Sequence, residues 1–300
     1  VSVDLETGQI EGCVEYVSPP EVCADKDSPS ILFESATLVG DRMYVPTTTE
    51  VLVYSVPDFI RRRYVTLPCF NDVHHVRPGN DGSLLVANTG LDMVVEIGPD
   101  DQIIREWSVL GEGSLARSPA GVDYRRVAST KPHMSHPNHV FILNGDLWVT
   151  RCNNKDMLCL TGDSDPIRIT ENIPIHDGLV VGDSVYFTVV SGEIVVVDGN
   201  ELRVRDRYDL NAMAGRDTSL GWCRGIEVLG DDLILVAFSR LRPTRFRQNV
   251  RSLKNRLGGS GVGLHPTGLM LFDLKKERLI WEVDLEPGGM NTVFSIHSIE

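Results

Sequence analysis

The chain has 300 residues, 42% of them hydrophobic, and a formal net charge of −13 at pH 7. That charge argues against nucleic acid or an anionic membrane surface as the main partner, because both would repel the average field of the protein. No apolar run approaches the roughly 20 residues that a membrane-spanning helix needs, and the first 30 residues lack the regions of a signal peptide. A soluble, cytoplasmic protein is therefore expected, although a chain that begins with Val1 leaves N-terminal trimming open.

Six cysteines are spread along the sequence, and none forms a CxxC pair. Without a secretion signal, reduced thiols are the default expectation, and a zinc site built from cysteines is disfavoured. The sequence also offers no motif for a nucleotide cofactor.

Short β-branched and aromatic runs dominate the chain from its first residues to its last, and Gly-Asp, Asp-Gly or proline turns separate them. Four segments place a polar residue six positions before a Gly-Asp turn that leads into a strand. In chain order they are "ESATLVGDRMYV", "HVFILNGDLWVT", "HDGLVVGDSVYF" and "RGIEVLGDDLIL". A fifth, "HVRPGNDGSLLV", fits with one extra residue in the turn. Each unit continues into two further strands, which is typical of a four-stranded propeller blade of about 40 residues.

Five such blades are predicted, starting near residues 31, 72, 136, 173 and 222. The N-terminal "VSVDLETGQIEGCVEYV" and the C-terminal "NTVFSIHSIE" supply strands for a sixth blade shared between the two ends. Sharing a blade removes exposed sheet edges, which is a known way to close such a ring. The prediction is thus an all-β, six-bladed propeller that occupies residues 1–300 as a single domain.

In a propeller, equivalent positions on the innermost strands converge on the central axis. The positions six before the turn glycine, with the counterpart in the closing blade, are Glu34, His75, His139, His176, Arg224 and His297. Eight histidines in 300 residues would place about 0.16 of a histidine at six random positions, whereas this register places four. We therefore expect a functional cluster of side chains on the axis.

Neutral imidazoles are ligands for transition metals, so His75, His139, His176 and His297 are predicted to bind a metal ion, with iron or zinc favoured. Glu34 would then act as an acid or base beside the metal, and Arg224 would orient the substrate. Without a metal, histidine could instead serve as general base or nucleophile beside the arginine. A further alternative is that these histidines only bond to neighbouring blades.

Two segments are longer than blade turns require, residues 109–133 and 240–262, and both are predicted to cover one mouth of the channel. The second segment is rich in basic residues, and its Arg240 and Arg245 are candidates for binding substrate. Their charge favours a small anionic molecule as the substrate. The oligomeric state is not determined by any of these features.

Two stretches, "HHVRPGNDGSLLVANTG" and "HPNHVFILNGDLWVTRCNNKDMLCL", resemble the arylsulfotransferase-like propellers over two blades. That resemblance implies that His75, His136 and Arg151 handle an anion, and that His176 or His297 accepts a sulfuryl group transiently. The segment "GWCRGIEVLGDDLILVAFSRLRP" looks more like a group of poorly characterised bacterial propeller proteins, which implies a fold and little about function.

The favoured hypothesis from the sequence is a metalloenzyme, an oxidoreductase, lyase or hydrolase, that acts on a small molecule. A metal-free sulfuryl or other group transferase that uses histidine and arginine is the second hypothesis. The third is a non-catalytic propeller that binds a protein or a ligand over one face.

Overall fold

The computed structural model of the protein describes residues 1–24, 32–111, 121–216, 219–230, 232–241 and 265–299. Within these residues the chain forms two compact units. Unit 1 comprises Cys13–Pro166 with Ile299, and unit 2 comprises Val1–Gly12 with Ile167–Ser298. The expectation of a single domain over residues 1–300, with two lids, stays a prediction.

Five four-stranded antiparallel sheets account for most of the described chain, and each has its strands in sequence order. Blade 1 has β3 (Thr37–Val39), β4 (Arg42–Pro46), β5 (Val51–Ser55) and β6 (Arg61–Val65). Blade 2 has β7 (Val73–Pro78), β8 (Leu84–Asn88), β9 (Met93–Ile97) and β10 (Ile103–Ser108). Blade 3 has β11 (Pro137–Leu143), β12 (Asp146–Arg151), β13 (Asp156–Cys159) and β14 (Ile167–Arg168).

Blade 4 has β15 (Ile175–Val181), β16 (Ser184–Val189), β17 (Glu193–Asp198) and β18 (Arg203–Asp209). Blade 5 has β19 (Trp222–Val228), β20 (Leu233–Ser239), β21 (Gly268–Asp273) and β22 (Arg278–Asp284). A short helix, α1 (Leu210–Met213), follows blade 4, and single 3₁₀ turns lie at Pro20–Val22, Asn80–Gly82, Thr89–Leu91, Tyr124–Arg126 and Glu286–Gly288. None of the helices in the described residues is long and apolar enough to cross a membrane.

The hydrophobic pattern of each strand matches its position in the blade. The middle strands β5, β8 and β16 are buried along their whole length, as expected for strands that are covered on both faces. The outer strands β18 and β22 alternate exposed and half-buried residues, which is the two-residue period of a half-covered strand. The sequence therefore encodes depth within the blade as well as strand formation.

The five predicted blades are confirmed, and the sixth is wrong. The ends instead form a two-stranded hairpin, β1 (Ser2–Val3) with β2 (Ile10–Glu11), and a C-terminal segment, residues 289–299, without a strand. Val3 and Ile10 pack on the same hydrophobic cluster as Val293 and Ile296. The two ends therefore meet through side-chain packing rather than through a shared sheet.

Candidate functional site

A cleft of about 270 Å³ lies in unit 1. Its lining exposes polar and apolar surface in about equal amounts and consists of Cys23, Ala24, Thr48, Thr49, Asn71, Asp72, Arg125, Val127, Ala128, Ser129, Thr130 and Lys131. Arg125 binds both oxygens of Asp123 at 2.8 Å, whereas the side chain of Lys131 is 56% exposed and lies 3.5 Å from Asp72 Oδ2. The cleft is therefore large enough for a small molecule, and Lys131 is its more accessible cation.

One wall of the cleft comes from the first of the two predicted insertions. Residues 121–133 of that insertion contain the 3₁₀ turn Tyr124–Arg126, and the Tyr124 N–H donates to the Pro68 carbonyl at 2.7 Å. The following residues, 127–131, line the cleft. This loop therefore contributes to a ligand-sized cavity, while its proposed action as a lid stays a prediction.

Three imidazoles form a cluster beside the cleft: His74 on β7, and His133 and His136 in the loop before β11. The ring centroids of His74 and His136 lie 4.7 Å apart, edge to face, and those of His133 and His136 lie 5.2 Å apart. We call these three residues the imidazole cluster. Asp72, which lines the cleft, approaches two of them: its carboxylate lies 3.7 Å from His133 Nε2 and 4.0 Å from His74 Nδ1.

The ionisation of this cluster follows from its surroundings. Burial raises the pKa of the Asp72 carboxyl, but the nearby charges of His74, Lys131 and His133 outweigh burial, so its pKa lies below the usual value. Burial also lowers the pKa of His133, against the opposing attraction of Asp72 and Asp92. At neutral pH, Asp72 is therefore an anion and His133 a neutral imidazole.

Hydrogen bonds fix which nitrogen carries the proton in His133 and His136. Asn71 Nδ2 donates to two backbone carbonyls, so its Oδ1 is the atom that accepts from the Thr130 hydroxyl at 3.0 Å. Thr130 has thus used its only proton and must accept from His133 Nε2–H at 3.1 Å. Neutral His133 then has its lone pair on Nδ1, which accepts from His136 Nδ1–H at 3.0 Å. In neutral His136 the basic nitrogen is therefore Nε2.

His74 has the same tautomer as His136, with the proton on Nδ1, and a single hydrogen bond determines it. Its Nδ1 lies 2.8 Å from the backbone carbonyl oxygen of Asp72, which can only accept, so Nδ1 carries the proton and Nε2 the lone pair. Protonation at Nε2 would create an imidazolium 4.0 Å from the Asp72 carboxylate. The backbone carbonyl of Asp72 thus orients the imidazole, and its carboxylate would stabilise the charged form by electrostatic attraction, without the direct hydrogen bond of a catalytic triad.

Asp92 holds the loop that carries His133 and His136. Its buried carboxylate accepts three consecutive backbone N–H groups, from Met134 at 2.8 Å, Ser135 at 2.9 Å and His136 at 2.8 Å. His136 adopts a left-handed backbone with φ of 59°, which a non-glycine residue adopts only when its surroundings hold it there. Asp92 is therefore a positioning residue for the cluster.

The predicted axial positions in unit 1 are engaged within the fold. His75 stacks on His139 with ring centroids 3.6 Å apart, and Glu34 is buried. The Thr37 hydroxyl donates to the Val76 carbonyl at 2.7 Å and so accepts from His75 Nε2–H at 2.8 Å. His75 Nδ1 in turn accepts from the Val140 N–H at 3.1 Å. Because both ring nitrogens bind neighbours, the interpretation of His75 as a metal ligand or anion-handling residue is not supported.

The other axial positions lie in unit 2. His176 is buried with its ring centroid 6.3 Å from Trp222, and the Arg224 guanidinium lies 4.9 Å from the rings of both Trp222 and Phe294. His297 is half-buried in the C-terminal segment and not on the strand predicted for it.

In the described residues no group of three or more His, Cys, Asp or Glu side chains could hold a metal ion. The predicted iron or zinc site therefore has no support there.

Two of the three predicted substrate-binding arginines lie in the described residues, and each pairs with an acid. Arg151 binds both oxygens of Asp156 at 2.8 and 2.7 Å and donates to the Val109 carbonyl at 2.9 Å, so it stabilises blade 3 rather than facing a ligand. Arg240 pairs with Glu286 at 3.1 Å in unit 2, and Arg245 lies outside the described residues. Of the predicted substrate-binding residues, only His136 belongs to the imidazole cluster.

No protein-family model matches this sequence, and no curated protein matches it. Its structural neighbours are β-propeller proteins. The alignment with a protein of unknown function from Bacteroides caccae has a TM-score of 0.57 at 12% identity, and it covers 84% of this chain and 81% of that protein's chain. The alignment with a streptogramin B lyase has a TM-score of 0.52 at 12% identity, and it covers 84% of this chain and 68% of the lyase chain.

Virginiamycin B lyase from Staphylococcus aureus has a TM-score of 0.47 at 15% identity, covers 68% of this chain, and is itself covered over 62% of its length. Identities this low show the β-propeller fold and no activity. The likeness to arylsulfotransferase-like propellers stays a prediction.

Proposed function

We propose that this protein is an enzyme whose catalytic centre is the imidazole cluster and needs no metal ion. His74 acts as the general base through Nε2, and His136 supplies the second proton-transfer group. Lys131 binds an anionic group of a small substrate held in the cleft. The reaction class is proton transfer to or from the substrate or an attacking water, as in hydrolysis or elimination.

The observation that carries this proposal is the pair of directed hydrogen bonds at Nδ1. The Asp72 carbonyl and His133 Nδ1 each accept from a neighbouring imidazole, so the basic nitrogens of His74 and His136 are both Nε2. Two imidazoles in edge-to-face contact can act in the same catalytic cycle, in which one accepts a proton from the substrate or water and the other donates a proton. Asp72 stabilises the cation that forms on His74.

The tautomers are measurable without knowledge of the substrate. In long-range ¹H–¹⁵N spectra of histidine-labelled protein at pH 8, we expect His74 and His136 with the proton on Nδ1, and His133 and His75 with the proton on Nε2. Single His→Gln variants assign the signals. A proton on Nε2 of His74 or of His136 would contradict the proposed base.

Activity is tested on chelator-treated protein with 4-nitrophenyl sulfate, phosphate and acetate as probes of anionic and neutral substrates. We expect release of 4-nitrophenolate that falls at least about 100-fold in His74→Gln, in line with the loss of a general base. Lys131→Met should raise KM for the anionic probes alone, and Lys275→Met, at an exposed position, should match the wild type. Activity that depends on added metal, or that survives in His74→Gln, would sink the proposal.

A further inference from the structure

Arg77 is a charged residue that does not line the cleft. It lies on β7, the strand that also carries His74, but three residues further along and next to the turn. At about 3.3 Å per residue this separation is roughly 10 Å, so Arg77 is distinct from the cleft, whose β7-side residues are Asn71 and Asp72. The side chain is half-buried.

The guanidinium of Arg77 is poorly satisfied by the protein. Its one hydrogen bond in the described structure runs from Nε to the Pro78 carbonyl and is 3.5 Å long, near the limit for such a bond. Burial lowers the pKa of Arg77, yet a guanidinium remains charged at any physiological pH. An unpaired and partly buried charge is costly, so such groups in proteins are normally paired.

The neighbouring strands provide no counter-ion. Within the described chain the strands that β7 contacts most are β3, β4, β8 and β11, whose sequences TLV, RMYVP, LLVAN and PNHVFIL contain no aspartate or glutamate. The 3₁₀ turn Thr89–Leu91 also contacts β7 and has no acidic residue. Arg77 pairs across the sheet with Leu85, and Leu85 pairs with Glu96, so the first acid in that row lies two strands away, at about 10 Å. Glu96 accepts from the Ser83 hydroxyl at 3.2 Å.

We infer that Arg77 is the binding residue of a second site, at the turn end of β7, that takes a small oxyanion such as phosphate, sulfate or a carboxylate. The planar guanidinium matches two oxygens of such an anion, and the anion supplies the charge that the surrounding strands lack. This site does not depend on the proposed function of the cleft.

Thermal unfolding in chloride-only buffer, with phosphate, sulfate or acetate added at constant ionic strength, tests the inference. We expect one of these anions to raise the wild-type Tm saturably, by about 4 °C at roughly one hundred times its Kd. Phosphate and sulfate also stabilise proteins by exclusion from their surfaces, so the Arg77-dependent part of the rise is the relevant quantity. The identity of the most effective anion distinguishes the three chemistries.

Matched variants make the outcome decisive. Arg77→Gln should lose the saturable rise and be at least as stable as the wild type without anion, whereas Arg62→Gln, at an exposed arginine, should keep the rise. Lys131→Met should also keep it, which separates this site from the cleft. Equal rises in wild type and Arg77→Gln would overturn the inference.

Two further measurements cover the remaining outcomes. If Arg77→Gln does not fold, the Arg77 Nε–H resonance of the wild type should shift on titration with the anion, and an unchanged resonance overturns the site. If Glu96→Gln destabilises the wild type but not the Arg77→Gln background, then the two residues pair with each other and the inference is wrong.

Discussion

Asp177 is a buried carboxyl group whose ionisation is set by the fold. Its Oδ2 accepts from the Thr188 hydroxyl at 2.5 Å and from the Gly225 N–H at 3.0 Å. Burial raises the pKa of Asp177 to about 6, although these two hydrogen bonds and the charge of Arg224 act in the opposite direction. The sequence presents Asp177 only as the residue after a predicted metal ligand.

A pKa above the unfolded value makes the contribution of Asp177 to stability depend on pH in a definite direction. The folded state binds the proton more tightly, so this contribution grows as pH falls from about 6 to about 4 and is absent at higher pH. Asp177→Asn should therefore change from destabilising toward neutral as pH rises, by about 2 kcal/mol between pH 4 and pH 7. Urea unfolding of both proteins at several pH values measures this difference.

Asp183→Asn, at an exposed turn position, is the control and should show no such trend. A difference between Asp177→Asn and wild type that is constant across this pH range would contradict the raised pKa.

Residue-level chemistry also explains why the sequence favoured His75 over His74. His74 and His75 are adjacent, and the repeat register selected His75. Successive residues of a strand point to opposite faces, so only one of the two could contact Thr37 and Val140, and the other turned toward His136. The two adjacent His residues, with His133 and His136 three positions apart, were the available signal.

At the scale of elements, β19 and the C-terminal segment depend on each other. Gly225 on β19 has φ of 73°, and a Cβ atom there would lie 3.1 Å from the backbone of Ser295. Arg224 contacts the Phe294 ring, and the Ser298 N–H donates to Glu227 at 3.3 Å. The C-terminal segment thus follows β19 closely without forming a strand.

Gly225→Ala should therefore destabilise the protein by roughly 2 kcal/mol, because the new methyl group meets backbone and the left-handed conformation disfavours alanine. Hydrogen exchange in residues 289–298 should become faster, since this segment must move away from β19. Gly182→Ala is the matched control: φ there is 55°, but no atom lies within 4 Å of its Cβ. It should cost about 1 kcal/mol and leave exchange in the segment unchanged. Equal effects of both substitutions on exchange would refute the close approach.

At the scale of the whole molecule, the chain ends are joined by packing. Ile10 of the N-terminal hairpin packs with Val293 and Met290, and its side chain lies where a Cβ on Gly288 would fall. Hydrophobic contact between distant parts of a chain replaces the shared blade that the sequence predicted. Such a junction needs no hydrogen-bond register, and for this reason strand patterns could not reveal it.

Ile10→Ala should lower the free energy of unfolding by about 1–2 kcal/mol, because the half-buried side chain loses contacts on both chain ends. Chemical denaturation measures the loss. Leu5→Ala, at a residue that is 42% exposed in the same hairpin, should have little effect. If the two variants are equally stable, then the hairpin does not hold the ends together.

The sequence by itself determined the blades. Strand periodicity and turn residues are local, so they located five four-stranded sheets and the residues buried within them. Residues 109–133 were predicted to cover one mouth of the channel, which stays a prediction; residues 125 and 127–131 of this segment line the cleft.

Only the tertiary structure brought the residues of the candidate site together. Whether an imidazole is a base or a bonded structural group depends on which atoms lie within about 3 Å of each nitrogen, and those atoms come from other parts of the chain. Asp72, Asn71 and Thr130 fix the tautomers of the imidazole cluster across separations of up to 59 residues. Thr37 and Val140 likewise make His75 structural. A repeat register places residues at equivalent heights, but the contacts on either side of each residue determine its chemistry.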